Sequence, residues 1–235
     1  MSLPIINIPT YQLVQPSTKE EIKYRPFLVK EEKILLLAME EDDEKQILNA
    51  VRQIVNNCTF ETLTVEKLPM FDLEYVFLNI RAKSVGEIAS IRMLCDDDKE
   101  TYVNVDIPLD KVEVKFHEDH TNLIKLNDEI AIEMSYPTFE MISKVGTADA
   151  TTKVIFELIN ECVLRIIDGE TVHERTDFTK KELGNFIDSL DSKQFKAVQD
   201  FFDTMPKLQH EVEYENPNTG KTTTRTLEGL QSFFA

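Results

Sequence analysis

The feature that most constrains how this chain folds is a change of period at Gly86. Upstream, Leu73, Val76, Phe77 and Ile80 recur at helical spacing, with Asp72 near the start as a candidate cap and Gly86 close to the end. Downstream, Ile88, Ser90, Arg92 and Leu94 alternate into Cys95-Asp96-Asp97-Asp98-Lys99, and Tyr102, Val103, Val105 and Ile107 lead out again. A helix therefore hands over directly to a β-hairpin with a polar, knuckle-like tip. A similar tip, Asn216-Pro217-Asn218-Thr219-Gly220, lies between Glu211-Val212-Glu213-Tyr214 and Thr222–Leu227, where asparagine, proline and glycine together mark a bend.

The remaining pattern surrounds these two hairpins. Tyr11–Val14 and Ile22–Arg25 flank Gln15-Pro16-Ser17-Thr18 as a short opening hairpin. Two amphipathic helices follow, one turning Ile34, Leu37 and Ala38 inward and the next Ile47, Val51, Ile54 and Val55. The acidic run Glu40–Glu44 between them has no glycine to shape a calcium loop and suits the start of the second helix instead. Val112–Phe116, Asn122–Leu126 and Ile130–Tyr136 read as three further strands in a meander. Beyond them Val154, Leu158, Cys162 and Ile166 share a helical face, as do Leu183, Phe186 and Ile187, then Phe195, Val198, Phe201 and Phe202. Thr179 or Asp177, and Asp191 or Ser192, are the candidate caps. The expected class is α+β: N-terminal helices plus a central antiparallel sheet, then a helical C-terminal half closed by a β-hairpin. A boundary near Gly146-Thr147-Ala148 separates residues 1–146 from 147–235.

Composition excludes several classes of function. Against 26 basic side chains stand 43 acidic ones, and a net charge of −17 repels nucleic acid and anionic lipid. No apolar run reaches the roughly 20 residues that span a bilayer, and Met1-Ser2-Leu3-Pro4 lacks the basic start of a signal peptide. Cys58, Cys95 and Cys162 are an odd, widely spaced set, so the expected compartment is reducing. No phosphate-binding glycine loop, nucleophile elbow or HExxH is present, and no small-molecule substrate or cofactor is expected. His117-Glu118-Asp119-His120 sets two histidines three apart with carboxylates between them, and an alternative reading makes it the centre of a metal-dependent hydrolase using His117, His120 and Asp119. Large apolar residues near the end of the chain, Leu230, Phe233 and Phe234, and Met70-Phe71 after Pro69, are the candidate partner-binding residues.

Five blocks in order carry a resemblance. Arg25–Lys33, Ile47–Val51 with Asn56-Asn57-Cys58, Ile80–Glu87, Phe201–His210 and Leu227–Phe234 together resemble the baseplate hub family of T-even-type bacteriophages. The resemblance implies a non-enzymatic component or assembly factor of the hub of a contractile tail. Its partners would be other hub and tail proteins; it would be made in the host cytoplasm, with the tail baseplate of the virion as the second expected location. A transient tail-assembly chaperone, absent from the mature particle, is a further alternative. Many members carry Cys-x-x-Cys at their hairpin tips, as zinc knuckles do. Here the corresponding positions are Cys95 and Asp98 in the first tip and Asn216 and Thr219 in the second. One cysteine plus His210 falls short of the four ligands of structural zinc, so no bound zinc is expected. The tips would rest on turn chemistry instead, with Gly220 free to take positive φ and Pro217 fixing the bend. Removal of Leu230–Ala235 is expected to end association with hub partners and leave secondary structure intact.

Overall fold

The structure is a computed structural model and describes residues 6–41, 43–146 and 152–233, apart from the side chain of Glu44. Phe234, Asp42 and the Thr147-Ala148 part of the expected boundary lie outside the described residues. In chain order the elements are β1 (Tyr11–Val14), β2 (Glu21–Tyr24), α1 (Val29–Glu40), α2 (Glu44–Cys58), α3 (Met70–Ser84), β3 (Ile88–Leu94), β4 (Tyr102–Pro108), β5 (Glu113–Lys115), β6 (Leu123–Lys125) and β7 (Ile130–Met134). There follow α4 (Phe139–Val145), α5 (Thr152–Cys162), β8 (Val163–Asp168), β9 (Thr171–Glu174), α6 (Lys180–Asp188), α7 (Ser192–Thr204), β10 (Lys207–Glu215) and β11 (Thr222–Glu228). The chain divides into two compact units, residues 1–115 with 207–235, and residues 116–206.

In the first unit α3 is the central helix. Leu73, Val76, Phe77, Leu78 and Ile80 are all fully buried, because its apolar residues occupy more than one face. Asp72 does not cap this helix; Pro69 holds the N-cap position. The Asp72 carboxylate is instead buried in the first turn, where it accepts hydrogen bonds from Gln15 Nε2 (2.7 Å) and the Ser17 amide (3.1 Å) and so anchors the β1–β2 hairpin. At the start of α1, Glu31 is fully buried, pairs with Arg25 (3.0 Å) and accepts from the Leu28 amide (2.9 Å). Burial alone would raise this carboxyl, but those donors hold it below its usual value. The inward face of α1 is Glu31 with Ala38, whereas Leu37 points outward at 50% exposure, contrary to the spacing argument.

Two small sheets complete this unit: the β3–β4 hairpin, and a three-stranded sheet of order β11-β10-β5. Pairing of Leu208 with Val114 joins the last strand before the intervening segment to the first one after it. Thus β5 pairs with β10 and not with β6, and the expected meander is interrupted. This pairing also explains why the units differ from a division at residue 146. The terminal hairpin buries Leu208, Val212, Tyr214 and Leu227 against Leu78, Ile91, Met93, Cys95 and Ile107.

The second unit is a four-stranded antiparallel sheet, β6-β7-β8-β9, whose core joins Ile124, Ile132 and Met134 to Ile159, Cys162, Leu183, Ile187, Val198 and Phe201. The expected helix through Ile166 ends at Cys162, and Val163–Asp168 is a strand. The C-terminal half is therefore mixed, not helical. Cys162 and Ile166 fit helical spacing, but Ile166 and Ile167 favour a pleated surface and Asp168-Gly169 turns the chain back into β9, with Gly169 at φ 57°. Thr179 caps α6 and Asp191 caps α7, each in a reciprocal box with Glu182 or Gln194.

Candidate functional site

The two hairpin tips are built alike. In the first, the Cys95 amide donates to Thr101 O (2.8 Å) and the Lys99 amide returns to Cys95 O (3.1 Å). In the second, the Asn216 amide donates to Lys221 O (3.0 Å) and the Gly220 amide returns to Asn216 O (2.8 Å). Lys99 (φ 56°) and Gly220 (φ 69°) occupy the same left-handed position, which glycine accepts freely and lysine only at some strain. The opening hairpin follows the same scheme, with the Lys19 amide bonded to Gln15 O (2.9 Å) and Lys19 at φ 64°.

The first and second tips lie against each other. Asn216, 1% exposed, donates through Nδ2 to Asp97 Oδ1 (2.8 Å) and Asp98 Oδ2 (3.0 Å). Thr219 Oγ1 donates to Asp97 Oδ2 (2.5 Å), Asn218 Nδ2 to Thr101 Oγ1 (2.6 Å), and the Tyr214 hydroxyl to Asp96 Oδ2 (3.2 Å). Within its own tip, Asp98 also accepts from the Thr101 hydroxyl (2.5 Å) and the Thr101 (3.0 Å) and Glu100 (3.1 Å) amides. The Thr101 and Asn216 side chains hold the Asp98 carboxyl well below its usual value; Thr219 and Asn216 do the same for Asp97. Cys95 is fully buried among core residues, and burial, with the three aspartates, pushes its thiol up.

All four degenerate knuckle positions, Cys95, Asp98, Asn216 and Thr219, thus meet at one locus, with hydrogen bonds across it. The Asn216 amide and the Thr219 hydroxyl present donors to the carboxylates, and the oxygens that face them are already accepting. This donor set does not fit zinc. Among the described residues no three His, Cys, Asp or Glu side chains converge as a ligand set.

The structure separates the His117–His120 pair by environment. His117 is exposed, accepts the Asp119 amide on Nδ1 (3.2 Å) and lies 4.0 Å from Asp119 Oδ2. His120 is half-buried, bonded through Nδ1 to Thr204 Oγ1 (2.9 Å) and packed against Tyr136 and Phe201 at ring distances of 5.5 and 5.1 Å. Burial first, and His117 second, hold its imidazole below the ordinary value, which favours the neutral ring. The other cysteines are equally inert: burial pushes Cys58 up to about 11 and Cys162 up to about 12.

Of the apolar candidates, Phe71 (4% exposed) and Phe233 (fully buried) are core residues, Leu230 packs against the same core, and Met70 is half-buried. Spacing did not single out the outer side of α1, where Leu36 and Met39 join Leu37 near half exposure. The run Ile34-Leu35-Leu36-Leu37-Ala38-Met39, apolar on every side of a helix, was the available signal. A cleft of about 230 Å³ in the second unit is floored by Ile166, Phe178 and Phe186 and bordered by His173 and Glu182. The Glu182 carboxylate is already engaged by the Thr179 amide and hydroxyl.

Among the described residues, no helix is long and apolar enough to cross a membrane. A family model described as T4 bacteriophage base plate protein matches residues 8–235. No curated protein and no solved structure matches the chain. With nearly its whole length covered by that model, the chain belongs to the T4 bacteriophage base plate protein family.

Proposed function

We propose that this chain is a non-enzymatic structural component of the hub of a contractile-tail baseplate and works through its surfaces on neighbouring tail proteins. The observation that carries the reading is the family match over residues 8–235, which runs through both compact units. The chemistry of the candidate groups is consistent with it. The aspartates of the first tip are occupied by hydrogen-bond donors, the three cysteines are buried with raised thiols, and the two histidines of the loop have different partners. Made in the host cytoplasm, the protein would persist in the finished tail.

Mass spectrometry of purified virions, followed by a cryo-EM map of the baseplate, tests this. Stoichiometric recovery with density at the hub supports the reading. Density confined to the baseplate periphery defeats the hub assignment, and absence from particles whose assembly requires the protein replaces it with a transient chaperone. The non-enzymatic part is tested by titrating zinc, manganese and magnesium against thermal stability. A saturable rise in the midpoint that His120→Ala removes would revive the hydrolase.

A further inference from the structure

The outer side of α1 carries more apolar surface than a helix at a water boundary needs. Val29, Leu36, Leu37 and Met39 are 79%, 54%, 50% and 49% exposed. At 100° per residue, Val29, Lys33, Leu36 and Glu40 form a single stripe opposite the buried Glu31 and Ala38, with Leu37 and Met39 along its two sides. A helix apolar on both sides is normally covered on both, and this one is left open on the side away from Ala38.

The charges on the stripe say what fits it. Lys33 and Glu40 are both exposed, and neither forms an ion pair among the described residues. They sit at equal distances in sequence from the midpoint between Leu36 and Leu37. A second α1 laid antiparallel, with a two-fold axis through that midpoint, brings Leu36 against Leu36 of its mate on one side of the seam and Leu37 against Leu37 on the other. The same operation sets each Lys33 opposite the other copy's Glu40. The charge pattern complements itself under that two-fold rotation, as an isologous contact requires.

We propose that this face is the interface of a two-fold dimer formed by antiparallel pairing of α1 from two copies of this chain. A helix of this length spans about 18 Å. The contact is thus smaller than the roughly 800 Å² per partner of a standard interface, which places the dimer in the micromolar range. The net charge of −17 on each copy opposes association beyond the contact, so the experiment belongs at 0.15 M salt, where such charges are screened beyond about 8 Å.

Sedimentation equilibrium of the full chain from about 5 to about 200 µM reads the proposal directly, since that range brackets the micromolar affinity. The expected result is a reversible dimer. Leu36→Asp should weaken it by at least about 30-fold, because it places carboxylates at the contact centre, while leaving circular dichroism unchanged at so exposed a position. Lys33→Glu should weaken it by about 10-fold and the double variant Lys33→Glu/Glu40→Lys should restore it to within about 3-fold, since the swap re-forms both pairs. A monomer throughout the range overturns the proposal and leaves the face to another segment or a different partner. A dimer indifferent to Leu36→Asp, or one the charge swap fails to rescue, overturns it equally.

Discussion

Asn216 shows how much one side chain does at the paired tips. Its Nδ2 serves two aspartates of the other hairpin, its Oδ1 accepts the Asn218 amide (2.8 Å), and its own backbone closes the turn. Asn216→Ala removes those side-chain bonds and leaves Asp97 with fewer donors, at an expected cost of about 2 kcal/mol in urea unfolding; a loss below about 0.5 kcal/mol would show that the tips are not coupled. Two titrations act in opposite senses. His120 is held neutral in the fold, so the unfolded chain binds more protons below about 6.5 and stability declines as pH falls through that value. Comparing pH 7.5 with pH 5.5, His120→Phe should show the shallower loss. Burial pushes Glu74 up to about 7, with the Leu230 amide opposing the shift. Its native form therefore holds a proton that the unfolded chain releases, and stability is lost as pH rises from about 4.5 through 7. Glu74→Gln should gain about 1 kcal/mol at pH 8 relative to pH 5, a modest figure because the side chain is only half-buried.

At the scale of elements, the C-terminal turn Leu230–Phe233 alters what a truncation means. Phe233 is fully enclosed with Leu78, Leu208 and Leu227, so its ring is unavailable to a partner while the fold is intact. Phe233→Ala should cost about 3 to 5 kcal/mol by opening a cavity, and deletion of Leu230–Ala235 should lower the thermal midpoint of the first unit visibly. This replaces the expectation that such a deletion is structurally silent. The starts of α6 and α7 were the most legible elements. Thr179 with Glu182 and Asp191 with Gln194 are boxes readable from residues three apart, because capping is chemistry within one turn. Strand β8 is not legible in this way, although Asp168-Gly169 is a hairpin signal, since a short apolar run satisfies helical and pleated spacing alike.

At the scale of the molecule, the two units place different demands on the chain. Residues 116–206 are contiguous and have their own sheet and core, whereas the first unit needs β10 and β11 to flank β5 and to cover β3. A 116–206 fragment should therefore unfold cooperatively on its own, while a 1–115 fragment should not; two-dimensional amide spectra of both check this. Collapsed, poorly dispersed spectra for 116–206 would mean that its core depends on the remainder of the chain.

Local sequence alone determined the bends of the opening hairpin and of the two tips, the caps of α6 and α7, the inward faces of α2 and α3 and the acidic, oxygen-rich character of the tips. Each of these is an energy set within a turn or two of backbone. Only the tertiary structure decided that Asn216 meets Asp97 and Asp98 across 119 and 118 positions, that β5 pairs with β10, and that Leu36 and Leu37 face outward. Those outcomes depend on which distant surfaces exclude water together and which polar groups find partners, and no spacing along the chain encodes that choice.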